Sequence, residues 1–285
     1  MNSTIKLWTQ LGLGTALAGG LLAACGGEAG EGATGEAGAA PDTAATAGEG
    51  EGGAGGEGAG GESAGGEGEG GVATGDAATD PVAYGIALAV AEAHVIAARD
   101  AYAAGKKDAA AEMFAHPVSE VLVDMDPAFA KLGVKDFKPL FTAASIAASE
   151  GKPAADVNTA YDAIIAALRD AATKAPKTDA TAAKVAIGII ADQIERASAM
   201  YRQLAKDDRY EPYLDGYGFA KVAGSGFAAN GAAIKAANPA AHARITEALG
   251  VLAQAYPGAA RPAKLPVEAG AVSGASAKVM LAAGS

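Results

Sequence analysis

Four residues able to hold a metal recur at a spacing of four: Glu112, His116, Glu120 and Asp124. On a continuous helix that spacing stacks three carboxylates and one imidazole along a single ridge. Oxygen and imidazole ligands in this combination suit iron, zinc or copper, and helical bundles build such sites from inward-facing Glu and His side chains. Pro117 bears on the geometry, because a residue that precedes proline is pushed away from the helical region. If Pro117 opens a new helix, Glu112 leaves the ridge while Glu120 and Asp124 stay aligned. An ordinary solvated polar face accounts for the same spacing without any ligand.

The chain has two further histidines, His94 and His242. His94 falls on an apolar stripe between Val90 and Ala98, so it faces a core, either as a metal ligand or as a buried histidine satisfied by a neighbour. His94, His116, Glu120 and Asp124 form the candidate metal set. His242 sits near the start of a helix, where the dipole disfavours an imidazolium, and is a secondary candidate. Tyr210, Tyr213 and Tyr217 share one helix face beside Asp215. Phenol and carboxylate ligands suit ferric iron, so Tyr213, Asp215 and Tyr217 are also secondary candidates. A tyrosine stripe equally serves as a half-buried packing face with its hydroxyls at the rim. The sequence has no H-E-x-x-H, no G-x-S-x-G and no phosphate-binding loop, so no catalytic residues are assigned.

The elements that must carry these residues read as helices. Ile86, Val90, His94, Ala98 and Tyr102 recur every four residues, on a helix ending at Gly105. Val157, Tyr161, Ile164 and Leu168 give a second stripe, entered at Pro153. Ile187, Ile190, Ile194, Ala197, Tyr201 and Leu204 give a third, and Ile245, Leu249, Leu252 and Tyr256 a fourth, opened by Asn238-Pro239. Shorter helical patterns occupy 107–115, 117–125, 137–150 and 212–236. The last carries Ala220, Gly224 and Gly231 on one face, small enough for a neighbouring backbone to approach, and is expected to bend or break near Gly224-Ser225-Gly226. With no alternating β-branched runs, the fold class is all-α: a bundle of six to eight helices. The helical domain spans 81–258, followed by a Pro-containing segment, 259–285, with one short helix or a frayed end.

The net charge of −11 is unevenly placed. Residues 26–80 hold twelve acidic groups and no Lys or Arg, whereas 81–285 hold 21 of each sign. The acidic stretch is Gly, Glu, Ala and Thr, with no aromatic residue, and cannot bury enough apolar surface to order itself. It reads as a disordered tether spanning roughly 40 Å by flexible-chain scaling. Neither part has the basic excess of a nucleic-acid binder. The single Cys excludes a disulfide and covalent haem attachment. No stretch after the N-terminal apolar run is expected to span a bilayer, and that run, about twelve residues from Leu11 to Leu22, is itself too short.

Leu22-Ala23-Ala24-Cys25 closes the run, after Lys6, and resembles the lipobox of bacterial lipoproteins. The resemblance implies that residues 1–24 are a signal peptide cut before Cys25, and that Cys25 carries diacylglycerol and an amide-linked acyl chain. Gly26, rather than Asp, after Cys25 implies the outer membrane, with the domain facing the periplasm. Residues 93–120 resemble helical periplasmic domains associated with iron uptake, including the extension of some iron permeases, with Tyr102 and Gly105 matching an A-Y-x-x-G turn. The layout is also similar to that of imelysin-like proteins, but their G-x-H-x-x-E motif departs here, reading Glu92-Ala93-His94 and ending at Ala97. These resemblances imply handling of iron or another transition metal. Two readings stand: a non-enzymatic, membrane-anchored metal-binding lipoprotein, or a tethered helical scaffold that recruits a protein partner in the cell envelope.

Overall fold

The computed structural model describes residues 72–206 and 208–284. The lipobox, Cys25 and most of the tether lie outside the described residues. The described chain is all-α, with nine α-helices and no strand. They are α1 (Pro81–Ala103), α2 (Lys107–Pro117), α3 (Asp126–Leu132), α4 (Lys138–Ser149), α5 (Ala154–Ala172), α6 (Ala182–Gln203), α7 (Glu211–Ala237), α8 (Pro239–Ala255) and α9 (Ala269–Ala283). The count of nine among these residues exceeds the expected six to eight. It includes the seven-residue α3, too short to show a periodic stripe.

Helix boundaries follow from local chemistry. The Asp80 carboxylate accepts from the Val82 N–H at 2.7 Å, Pro81 occupies the first turn, and Gly105 leaves the helix at φ 77°, as helix-stop geometry favours. Thr181 caps α6 by accepting from Lys184 N–H at 3.2 Å, and Asn238 caps α8 by accepting from Ala241 N–H at 2.9 Å.

Helix α1 lies at the centre. It packs on α2, α5, α6 and α7. Its fully buried alanines, among them Ala87, Ala91, Ala97 and Ala98, allow this close approach on all sides. α1 is long and apolar enough to cross a bilayer by length and composition, contrary to the expectation from sequence, but it serves here as a core helix with 67% of its most apolar window buried. A helix apolar all round is what an interior position selects.

Two close approaches set the register of α7. A Cβ at Gly218 would lie 2.3 Å from the Ala93 carbonyl oxygen, so the absence of a side chain lets α7 rest directly on the α1 backbone. A Cβ at Gly216 would strike the Tyr256 hydroxyl at 2.0 Å. The close packing therefore falls at Gly218 and Gly216. At Gly224, where it was expected, nothing lies within 4 Å of the added atom. Helix α7 also runs unbroken through Gly224-Ser225-Gly226, because its ladder continues to Ala237.

The C-terminal segment is integral to the bundle. α9 packs on α6 and α8, burying Val272, Ala275 and Val279. The connector before it is fastened by phenols. Tyr210, Tyr213 and Tyr201 donate to the carbonyls of Ala259, Gly258 and Val267 at 2.6, 2.7 and 2.8 Å. Each satisfies a carbonyl that no helix can pair in this Pro-rich stretch.

Candidate metal centre

Three elements converge on His94. Its ring is 2% exposed, midway along α1, and its Nδ1–H donates to the Val90 carbonyl at 2.8 Å. That bond fixes the ring and turns Nε2 toward α2 and α7, the arrangement by which a second interaction orients a ligand histidine. Nε2 lies 3.3 Å from Glu120 Oε2 and 3.4 Å from Asp215 Oδ1. The edge of Phe219 closes the pocket, with ring centroids 5.8 Å apart.

His116 and Glu120 enter from the end of α2. His116 keeps helical geometry, and α2 runs through Pro117 rather than ending before it. The disturbance falls one residue later. Pro117 has no N–H to donate, and residues Val118–Leu122 widen into a π-helical turn in which the Val123 N–H reaches Val118 O at 3.2 Å. Such turns recur at functional sites. Here the turn leaves Glu120 Oε1 3.6 Å from His116 Nδ1. The helix stops at Leu122, so the ridge ends there as well. Asp124 falls on the following turn, exposed and outside the ligand cluster. Glu112, one turn before His116, is also exposed, on a small cleft lined by Arg209 and Glu211.

The first turns of α7 supply the remaining oxygens. Glu211 and Asp215, spaced by four, share a face. Glu211 Oε1 lies 3.7 Å from His116 Nε2, and Asp215 is 1% exposed. The ligand atoms of His94, His116 and Asp215 all lie within 4.8 Å of one another, and the two imidazole rings stand 5.9 Å apart at 72°. Glu211 was not read from the sequence, although its i,i+4 relation to Asp215 was a usable signal. Asp215 was singled out with its tyrosine neighbours and belongs instead with the histidines.

The remaining secondary candidates lie apart from this cluster. Tyr213 gives its hydroxyl to Gly258 O, and Tyr217 donates to Asp100 Oδ2 at 2.7 Å. Burial pushes the Tyr213 phenol up to about 12, and Tyr217 still higher, burial acting first and the Asp100 carboxylate adding to it. Phenols held neutral in this way make poor ligands. His242, at the start of α8, packs on Phe227 with ring centroids 5.0 Å apart.

The electrostatics of the cluster favour a cation. Burial pulls the His94 pKa down, but the Glu120 carboxylate and the Asp215 charge outweigh it and raise it to about 9. For Glu120, burial acts to raise the pKa, while His94 and the His116 charge outweigh it and hold the carboxyl below its usual range. A close imidazolium–carboxylate bond measures about 2.7–2.9 Å, and the His94–Glu120 and His94–Asp215 contacts are longer, at 3.3 and 3.4 Å. A tetrahedral ion with bonds of about 2.0–2.1 Å holds its ligand atoms about 3.3–3.4 Å apart. The His94–Glu120 and His94–Asp215 separations match that spacing. In addition, His116 Nδ1 is buried with no hydrogen-bond partner among the described residues. Buried polar atoms left in this state are uncommon in native proteins, and one recognised cause is an ion. The donor set fits a transition metal.

No protein-family model, curated protein or solved structure matches this chain.

Proposed function

We propose that this chain is a membrane-anchored lipoprotein of the bacterial envelope whose helical domain binds a divalent transition metal, iron foremost, and performs no catalysis. His94, His116, Glu120 and Asp215 are the ligands. One observation carries the reading: Glu120 and Asp215 oxygens lie 3.3 and 3.4 Å from the buried His94 Nε2, and the ligand atoms of His94, His116 and Asp215 lie within 4.8 Å of one another. Two imidazoles and two carboxylates are donors that suit iron(II) and zinc alike. The anchor rests on Leu22–Cys25 and the acidic stretch that follows.

Calorimetric titration of the purified chain with iron(II) under anaerobic conditions, and with zinc(II), tests the site. The expected result is one equivalent bound at micromolar affinity or better, lost in His94→Ala and in His116→Ala. Absence of binding for both ions at micromolar concentration overturns it. The raised His94 pKa favours a second reading, in which the cluster is a buried imidazolium–carboxylate tie within a scaffold domain. That reading requires the two histidine variants to lose stability while a pull-down from envelope extract recovers the same protein partner.

A further inference from the structure

A cleft of about 280 Å³ opens beside the metal centre, between α2 and the start of α7. Met113, Tyr210 and Leu214 give it apolar walls, and its charged groups are Glu112, Arg209 and Glu211. Six waters around a divalent ion displace roughly 180 Å³, at about 30 Å³ each. The cleft therefore admits an ion that still carries its hydration shell.

Glu211 belongs to both the cleft and the centre. Its Oε1 lies 3.7 Å from His116 Nε2, and its Oε2 lies 3.8 Å from Arg209 Nη1. Exposure falls along this line, from Glu112 at the surface through Glu211 at 36% to His116 at 20%, while His94 and Asp215 beyond them are sealed. Carboxylates set against low-dielectric walls concentrate cations and speed their arrival. Arg209 opposes that field. Its guanidinium is 59% exposed and its ion pair with Glu211 is long. The backbone beneath it is held, because Arg261 donates to the Asp208 carbonyl and, at 3.3 Å, to that of Arg209. The side chain is thus the part that gives way when an ion takes its place on Glu211.

We infer that this cleft is the entry path of the metal ion: Glu112 and Glu211 pass the hydrated cation inward to His116, and the Arg209 guanidinium yields its place on Glu211. The inference rests on the metal-binding reading proposed above. Entry and exit share one path, so a group that acts on the ion in transit changes both rates by the same factor and leaves affinity unchanged. A ligand behaves differently, because its loss speeds release and weakens binding.

Stopped-flow association of zinc(II) with the full chain, reported by a zinc-sensitive dye, tests the path together with release into excess chelator and affinity by calorimetry. Glu211→Gln is expected to slow association and release about tenfold, and Glu112→Gln about threefold, with affinity within about twofold of the parent chain. Arg209→Gln should speed both rates. Added salt should slow association in the parent chain more than in Glu112→Gln, because it screens the exposed carboxylate. Glu112 lies at the surface, so Glu112→Gln decides alone if Glu211→Gln does not fold. Unchanged rates in the two carboxylate variants overturn the path and leave the metal centre standing. Faster release with weaker binding in Glu211→Gln also overturns it, by making Glu211 a ligand. Failure of the parent chain to bind zinc(II) or iron(II) overturns both the path and the centre.

Discussion

His94 and Asp215 lie far apart in sequence, yet their side chains meet at 3.4 Å with both all but sealed from solvent. The meeting depends on the seat of Gly218 on the Ala93 carbonyl, one residue before His94 and one helical turn beyond Asp215. Adding a methyl there must force α1 and α7 apart, because the atom it meets is backbone and has no rotamer to escape into. Gly218→Ala is expected to cost about 1–3 kcal/mol and to weaken metal binding well beyond what the stability loss explains. Urea unfolding and calorimetric titration of the same preparation separate the two effects. An unchanged metal affinity would show that the helix spacing does not set the site.

Glu120 and Asp124 offer a paired test of the ligand set. Only Glu120 reaches the histidines. Glu120→Gln should lower metal affinity at least tenfold, whereas Asp124→Ala should leave it within twofold. Equal losses in the two variants would place the ligands on the ridge read from sequence instead.

Metal affinity should depend on pH in a defined direction. A ligand imidazole must give up its proton, and His94 holds its proton up to about pH 9. Apparent affinity is therefore expected to rise about tenfold per pH unit as pH increases toward 9, then to level off. About one proton should be released per ion bound at pH 7.5, read from calorimetry in buffers of different ionisation enthalpy. A flat profile between pH 6.5 and 8.5 contradicts His94 as a ligand.

The metal-free protein has its own pH signature. The folded-state pKa of His94 lies above the ordinary 6.5, so its stabilisation is complete below about 6.5 and is lost as pH rises through about 9. Glu120 acts in the opposite window: its carboxyl is depressed below 4.5, so its contribution is present above that value and lost on further acidification. Thermal unfolding should show greatest stability near pH 5–6.5 and a decline on the order of a few kcal/mol by pH 9.5. His94→Gln should remove the alkaline decline.

The tyrosines predict a dissociation between stability and binding. Tyr213→Phe deletes the bond to Gly258 O and should cost about 1 kcal/mol in chemical denaturation with metal affinity unchanged. A tenfold loss of affinity in that variant would restore the phenol as a ligand.

Sequence made much of this fold legible, for physical reasons that also mark where legibility stops. The stripes from Ile86 to Tyr102 and from Ile187 to Leu204 are local patterns that helical periodicity imposes on any amphipathic or core segment, and Asp80, Asn238 and Gly105 mark helix ends through contacts within a few residues. His94, His116 and Glu120 were readable because apolar stripes and four-residue spacing are local too. Pro117 left open whether a new helix starts there; a widened turn absorbs the missing donor, which no spacing rule anticipates. Asp215 and Glu211 come from a helix distant in sequence, and only the packing of α7 on α1 brings them to the histidines. The same holds for Gly218, which looks like any other glycine on α7 until the Ala93 carbonyl is placed against it.

The position of α1 also has a consequence for timing. It is the first long helix of the domain to leave the ribosome, yet its packing is complete only after α6 and α7 exist. Contacts at such large sequence separation form slowly, because a long loop must close before they repay its entropy. His94 meets Glu120 early but must wait for α7 before Asp215 arrives. On the proposed function, ion capture follows the arrival of α7, in whichever compartment the chain completes its folding.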